Sequence, residues 1–345
     1  MAISKITTEN FTVFNKIEMD FSNGINVFIG ENGTGKTHIL KIIYWACESE
    51  REEQEALRES NDDIQYLGNI KARRRPPQKL IQCFYPCKSE SLMRIKSATR
   101  RINFTPDDKQ KNDDFESCDQ STNNEWKAGS KGTIPAIFIP AKEMLTHAGI
   151  EKDFMQRNLP FDITLIDILY KAGVSTIKNL PEEKLVILDK IASIIGGKVL
   201  CMNDRYYTEK PDGTLIDFAA EAEGFKKLGL IYRLIETGHL EKDSVLIWDE
   251  PEANLNPKLI PELVDIILTL EQMGVQMFFA THDYFFAKFL EVRKKRDNKV
   301  IYHALNKEGD EVTCESQSDF SLLENNSILR QFIDLYKEEV MKVME

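Results

Sequence analysis

Two short apolar runs, each ending in polar residues, constrain the fold of this 345-residue chain. The run at 245–248 (VLIW) leads into Asp249 and Glu250, and the run at 275–281 (VQMFFAT) leads into His282. The unbroken apolar run at 245–248 predicts a buried strand of a parallel sheet, and the mostly apolar segment at 275–281 predicts a second strand. Because α/β sheets place their ligands at the carboxyl ends of parallel strands, we expect these polar side chains to meet at one edge of a sheet.

The two adjacent carboxylates suit two different tasks. Asp249 can hold a magnesium ion, which prefers oxygen ligands and usually keeps several of its waters. Glu250 then remains free to orient and deprotonate an attacking water molecule. This arrangement is typical of a hydrolase.

A glycine-rich segment upstream, GENGTGKT at 30–37, fits the phosphate-binding pattern G-x-x-x-x-G-K-[ST] at every fixed position. Lys36 is predicted to reach the outer phosphates, and the hydroxyl of Thr37 to bind magnesium. The flanking residues predict a strand at 25–29 and a helix from Thr37, so the phosphates would lie at a helix N-terminus. This context argues against the alternative, a fortuitous glycine-rich turn. The predicted nucleotide-contacting residues are Gly30, Asn32, Gly33, Thr34, Gly35, Lys36, Thr37 and His38.

The run DEPEANLNP from Asp249 resembles the Walker B motif and D-loop of the ABC ATPase superfamily, in its non-transporter branch of SMC, RecF and OLD-type proteins. The amino-terminal residues up to the glycine-rich segment are similar to the opening strands of the same branch. The resemblance covers residues 1–45 and about 218–290. It implies ATP and Mg²⁺ as cofactors, nucleotide contacts from Asn254 and Asn256, and a switch histidine at His282 that contacts the terminal phosphate. The spacing to Glu250, across a helix and a strand, favours this role over that of an ordinary surface histidine.

The ABC signature is expected 20–30 residues before the Walker B motif, and the segment 218–238 is the candidate because a glycine there begins an amphipathic helix. Its core would be Ala222, Glu223 and Gly224. In the family a serine usually precedes this glycine and meets the γ-phosphate of the ATP on the other protomer. A carboxylate at that position repels a phosphate unless a cation or hydrogen bond intervenes. Either the site is divergent or the register differs.

The segment 138–145 (FIPAKEML) lies where the family places its Q-loop. Lys142 and Glu143 would then approach the metal or the γ-phosphate. A helix start, with Pro140 near its first turn, explains the same residues equally well.

An insertion between the two halves of the ATPase core has a strong charge pattern. The segment 71–101 contains ten Lys/Arg residues and one acidic residue. The flanking segments 48–63 and 107–125 contain eight and seven acidic residues, and the net charge of the chain is −11. We expect a loop at 71–77, two or three antiparallel strands at 79–104, and a polar loop at 105–132. The basic segment could hold a phosphate backbone or an acidic protein. Alternatively, it is a solvated hairpin offset by its acidic flanks.

The remaining sequence predicts helices over 154–196, with Pro181 at a helix start and glycines at 196–197 at its end. The carboxyl-terminal residues predict an amphipathic helix that packs on the chain's own core, with a partner interface as the alternative. There is no apolar run of 18 residues and no signal-peptide pattern, so we expect a cytoplasmic protein without a membrane partner.

These observations predict one α/β domain over 1–345, a P-loop NTPase of ABC type. We expect a mixed sheet with helices on both faces, an antiparallel β lobe and an inserted β and loop segment. Its expected parts are the amino-terminal strands and Walker A helix (1–50), the charged insertion (51–135), a mostly helical part (136–200), and the signature-to-C-terminus part (201–345).

The resemblance implies a nucleotide-driven homodimer or higher oligomer. In short, armless proteins of this type it points to ATPase subunits of bacterial anti-phage systems such as PARIS or Septu, which bind a separately encoded effector, a nuclease or toxin. The alternative is a DNA-binding repair ATPase similar to RecF and SMC. In an anti-phage ATPase the basic segment at 71–101 would contact an effector or phage protein. In a repair ATPase it would contact DNA.

Overall fold

The computed structural model describes residues 2–59, 82–85, 92, 100–106, 117–119, 134–157 and 161–344. Its strands are β1 (Ile3–Phe11), β2 (Phe14–Asp20), β3 (Ile25–Gly30), β4 (Arg100–Pro106), β5 (Ser117–Asp119), β6 (Ala136–Ile139), β7 (Lys198–Met202), β8 (Arg205–Glu209), β9 (Leu215–Asp217), β10 (Val245–Asp249), β11 (Gln276–Ala280), β12 (Val300–Glu308) and β13 (Glu311–Gln317). Its α-helices are α1 (Lys36–Glu59), α2 (Ile150–Arg157), α3 (Ile163–Gly173), α4 (Glu182–Ile195), α5 (Glu223–Glu236), α6 (Ile260–Gln272), α7 (Tyr284–Arg293) and α8 (Ser327–Met344).

A six-stranded sheet in the order β13–β12–β3–β11–β10–β6 forms the centre of the fold. Neighbouring strands from β12 to β6 are parallel, and β13 is an antiparallel edge strand. The parallel strands β3, β10 and β11 consist of apolar runs because both of their faces are covered. The predicted mixed α/β sheet is confirmed.

Alternate residues of the central strands enter two separate hydrophobic cores. Val27 and Trp248 face a core built with α3 to α7, whereas Phe28 and Ile247 face a core built with α1 and the amino-terminal strands. This alternation follows from the two-residue period of a strand. Helices on both faces of the sheet were predicted and are confirmed.

The antiparallel lobe is a second sheet in the order β2–β1–β4–β5. Strand β4 comes from the insertion and pairs with β1, with Ile6 opposite Phe104. The strands predicted over 79–104 are confirmed at Arg100–Pro106 but are wrong at 82–85, where the chain forms a helical turn. In this turn the N–H of Tyr85 donates to the oxygen of Gln82 at 3.3 Å, Cys83 and Phe84 are buried, and the Cys83 carbonyl accepts from the Lys41 ammonium at 2.6 Å. Most of the basic segment at 71–101 lies outside the described residues.

Three helices over 150–195 confirm the helical prediction for this region. Helix α4 begins after Pro181 and ends at Gly196, which adopts φ +78° as the left-handed cap that favours glycine. The predicted part boundary at 200 falls within β7, and the division of the chain into parts stays a prediction.

A three-stranded sheet, β7–β8–β9, lies outside the sequence prediction. Its first turn consists of Asn203 and Asp204, both with positive φ (51° and 60°). Two such residues between alternating strands are the signature of a type I′ hairpin. The sequence therefore carried a usable signal for β7 and β8.

The carboxyl-terminal helix α8 is amphipathic, as predicted. The prediction that it packs on the chain's own core holds only for its first part. Ile328 and Leu329 touch the core, and Phe332 stacks on Tyr284 with ring centroids 4.0 Å apart. Beyond this first part the helix extends from the domain, so side chains such as Leu335 and Val343 are exposed. Among the described helices, none is both long and apolar enough to cross a membrane.

His303 makes the stability of the fold sensitive to acid. It is fully buried in β12, stacked on Phe28, and burial lowers its pKa to about 3. The unfolded chain protonates this histidine below pH 6.5, whereas the folded chain does so only near pH 3, so stability falls as the pH drops below 6.5. We expect this residue to lower the free energy of unfolding by about 2 kcal/mol between pH 7.5 and pH 5.

Urea unfolding of the wild type and of His303→Gln at both pH values checks this expectation. The variant should show a smaller loss of stability at pH 5, because glutamine does not titrate. Identical pH dependence in the two proteins would contradict it.

Candidate nucleotide site

The glycine-rich segment forms a tight loop between β3 and α1, as predicted. Gly33 adopts φ +81° and has open space where a side chain would be, so a ligand can approach the main chain there. Gly35 adopts φ +92°, and a Cβ at this position would lie 2.5 Å from the ring of Phe14. The first N–H groups of α1 have no acceptor within the helix, which makes this loop an anion site.

Lys36 lies folded over this loop. Its ammonium donates to the main-chain oxygens of Gly30 and Glu31, both at 2.8 Å, and the residue is 6% exposed. Burial lowers the pKa of Lys36 to about 8, and the carboxylates of Asp249 and Glu250 limit the fall. The side chain is therefore mostly cationic at pH 7, and a phosphate entering the loop would replace these carbonyl contacts with stronger charge-assisted ones.

The hydroxyl of Thr37 donates to the carboxylate of Asp249 at 2.9 Å. These two residues are 212 positions apart in sequence, and the parallel strands β3, β11 and β10 bring them to the same sheet edge. A hydroxyl and one carboxylate oxygen are hard ligands that fit Mg²⁺, which takes its other oxygens from water and phosphates. In the described part of the chain no cluster of three or more His, Cys, Asp or Glu side chains suits a metal.

Glu250 and His282 face each other across the mouth of the loop. The carboxylate of Glu250 lies 3.8 Å from His282 Nε2, and both side chains are more than a third exposed. Burial and the charge of Lys36 lower the pKa of His282, so its imidazole is neutral at pH 7. The imidazole also contacts the main chain of Gly30, next to the phosphate loop. Both side chains are thus open to the space beside the phosphate loop.

A second, buried carboxylate was not anticipated. Glu252 accepts a hydrogen bond from the Thr281 hydroxyl at 2.6 Å, and that hydroxyl accepts from the N–H of Asp283 at 2.9 Å. Burial raises the pKa of Glu252 to about 7. Through these bonds the loop after β10 is tied to the loop that carries His282. The position of Thr281, directly before the predicted switch histidine, was the available sequence signal.

Helix α5 begins at Glu223, where the signature was predicted. The Glu223 carboxylate pairs with Lys226 at 2.8 Å, which supplies the cation that a carboxylate near a phosphate requires. Gly224 packs within its own chain, since a Cβ there would lie 2.9 Å from a methyl carbon of Leu255. The helix is preceded by Ala222, whose side chain offers no cap. A contact of this segment with the nucleotide of a second copy stays a prediction.

Other predicted site residues have structural partners. The side chain of Asn256 accepts from the N–H of Lys258 at 3.0 Å, and Asn254 is exposed with φ +63°. The ring of His38 packs edge-on against Phe84, 5.4 Å away, and burial lowers its pKa to about 4. A nucleotide contact by His38 would therefore come from its main-chain N–H at the start of α1.

The segment after β6 reaches the same sheet edge. Ile139 pairs with Trp248, one residue before Asp249, so Pro140 follows a strand and not a helix cap. Lys142 is exposed, whereas the Glu143 carboxylate accepts from the hydroxyl of Thr146 at 2.5 Å. The strand end favours the Q-loop interpretation, but the direct roles of Lys142 and Glu143 stay predictions.

Comparison with known families gives a match over the part of the chain that contains the phosphate loop. The sequence profile of the AAA ATPase domain family matches residues 1–193, more than half of the chain. The chain belongs to this family. Because the matched residues contain the phosphate loop and Lys36, ATP is the nucleotide expected there.

This AAA ATPase domain also matches two proteins called DNA replication and repair protein RecF. The one from Cytophaga hutchinsonii is 49% identical over 47 residues, 14% of this chain and 12% of that protein. The one from Streptococcus uberis is 32% identical over 74 residues, 20% of each chain. The chain therefore spans at most a fifth of the length of these two relatives.

Among solved structures, the SMC head domain from Thermotoga maritima aligns with a TM-score of 0.50 at 11% identity, over 92% of this ATPase and 99% of that chain. The likeness shows a shared fold. It supports the ABC-type architecture predicted from the two nucleotide motifs.

Proposed function

We propose that this ATPase hydrolyses ATP with Mg²⁺ between two copies of the chain and uses the cycle to control a DNA-bound complex, in the manner of RecF- and SMC-like proteins. The observation that supports the ATP chemistry most directly is the 2.9 Å bond between Thr37 and Asp249, with Glu250 and His282 open to the same space. The RecF relatives support the association with DNA.

Each side chain of the site has a separate role in the proposed hydrolysis of ATP. Lys36 binds the outer phosphates, and its charge stabilises the negative charge that develops in phosphoryl transfer. Thr37 and Asp249 would hold Mg²⁺, which neutralises phosphate oxygens when it is bound. Glu250 orients the attacking water and accepts its proton. His282 lies next to Gly30, and we assign its imidazole to the terminal phosphate.

The anti-phage interpretation has weaker support. The relatives that match by sequence are replication and repair proteins, and they favour the DNA-associated alternative over an effector-restraining defence subunit. The exposed apolar part of α8 is a surface that a separate protein could use, although nothing described identifies that protein. An effector partner therefore stays a prediction.

Charge reversal in the basic segment tests the DNA association. Replacing Arg73, Arg74 and Arg75 with glutamate should weaken duplex DNA binding and make the slope of log K against log salt shallower by up to about 3, because fewer phosphates are neutralised. ATP hydrolysis should persist. Fluorescence anisotropy with labelled duplex at several salt concentrations gives the slope.

The matched control reverses three exposed charges elsewhere, at Lys295, Arg296 and Lys299 in the loop before β12. This control changes the net charge equally and should retain most of the DNA affinity. Equal losses in both variants would indicate a nonspecific charge effect. Failure of the wild-type ATPase to bind DNA at low salt, with or without ATP, would overturn the DNA association and leave the effector prediction as the alternative.

A further inference from the structure

Lys227 is a buried amine that links the signature helix to the Walker B loop of the same chain. It lies in the first turns of α5, is 3% exposed, and its ammonium donates to the main-chain oxygen of Glu250 at 2.8 Å. Burial lowers the pKa of Lys227, while the carboxylates of Glu252 and Glu250 oppose that change. Burying an ammonium is costly unless specific partners compensate it, so this side chain is held by its contacts at the site.

The main chain of Glu250 needs such support. Its φ is +50°, a left-handed conformation that non-glycine residues rarely adopt and that persists where surrounding contacts fix it. The N–H of Glu250 donates to Ala280 at 2.9 Å, and its oxygen accepts from the N–H of Ala253 at 3.1 Å. The ammonium of Lys227 is the third contact and the one supplied by a side chain. It comes from helix α5, whereas the two main-chain bonds come from Ala280 in β11 and from Ala253 in the loop after β10.

We infer that Lys227 is a positioning residue, which fixes the left-handed main chain of Glu250 and thereby aims its carboxylate at the attacking water. The inference rests on the proposed role of Glu250 as the base. Lys227 acts through this main-chain oxygen and not by contact with ATP. Because α5 begins at Glu223, the helix proposed to cover the nucleotide of the second copy also holds the base of its own site.

The test compares Lys227→Met and Lys227→Arg with Lys294→Met. Lys294 also donates from its ammonium to a main-chain oxygen, that of Ser318 at 2.5 Å, in a segment remote from the nucleotide motifs. Losing the contact should lower the kcat of Lys227→Met about 10- to 100-fold, because misplacing a reacting group by about 1 Å has effects of this size. The Kd for ATP should stay within about twofold, since the phosphate contacts remain. Lys227→Arg should recover part of kcat, and Lys294→Met should retain it.

A wild-type kcat for Lys227→Met, with Glu250→Gln inactive, would overturn this inference and leave the proposed function intact. A parallel loss of kcat, ATP affinity and melting temperature, without recovery in Lys227→Arg, would show a merely structural role and also overturn it. If Lys227→Met fails to fold, Lys227→Gln carries the test, because its shorter amide side chain loses the contact while staying polar: reduced kcat at unchanged ATP affinity supports the inference, and wild-type kcat overturns it. Wild-type activity in Glu250→Gln would instead refute the proposed base.

Discussion

Lys36→Ala is expected to abolish tight ATP binding. The ammonium is 6% exposed and poised over the phosphate loop, where it now bonds two main-chain oxygens. Removing a charge-assisted contact to a phosphate costs about 1.5–3 kcal/mol. We therefore expect ATP affinity to fall by at least about tenfold to a hundredfold. Equilibrium binding of labelled ATP measures the change.

Glu250→Gln is the matched variant for this measurement, because it changes a side chain of the same site without removing a phosphate contact. It should bind ATP with near wild-type affinity. If Lys36→Ala and Glu250→Gln bind ATP equally well, the assignment of Lys36 to the phosphates is wrong.

Glu250→Gln with saturating ATP and Mg²⁺ is expected to accumulate as a dimer or a higher assembly. Without its base the site keeps ATP intact, and a nucleotide held between two copies adds binding energy to both faces. Hydrolysis should fall about 10²- to 10⁴-fold, the usual contribution of a general base. Sedimentation velocity with ATP, with ADP and without nucleotide measures the assembly.

The second surface of this dimer is best probed at Glu223. Substituting Gly224 with a bulky residue would disturb packing on Leu255 within the same chain, so its effect on assembly would be ambiguous. The side chain of Glu223 is about half exposed and bonds only the neighbouring Lys226 in the described contacts. A Glu223→Trp, Glu250→Gln double variant should therefore lose ATP-dependent assembly while still binding ATP. Identical sedimentation with and without ATP in Glu250→Gln itself would contradict nucleotide-driven dimerisation.

The sequence predicted the position of the candidate site at the sheet edge well because its signals are local. Asp249 and His282 each lie at the carboxyl end of a mostly apolar segment that predicts a strand. In a parallel sheet these strand ends lie at the same edge as the glycine-rich loop, which follows β3. The Thr37–Asp249 bond confirms that convergence. The register of the short signature segment carried no comparable local constraint.

The features that the sequence did not predict depend on distant packing. The residues at 82–85 were expected to form part of a strand, yet Phe84 packs against His38 and Phe11 and the segment forms a helical turn. Helix α8 has the amphipathic pattern of a helix that packs on a core, but its contacts with the core are made by Ile328 and Leu329 near its start. Lys227 lies among apolar helix residues, and only the fold shows that its ammonium meets Glu250.

Single-turnover hydrolysis tests the central claim most directly. With protein in excess over radiolabelled ATP and with Mg²⁺ present, the wild type should convert bound ATP to ADP and phosphate, and Glu250→Gln should hold the ATP uncleaved over the same time. Because a single turnover measures cleavage of ATP that is already bound, this outcome would assign the chemical step itself to Glu250 and not ATP binding or product release. Cleavage of bound ATP by Glu250→Gln at the wild-type rate would contradict the account.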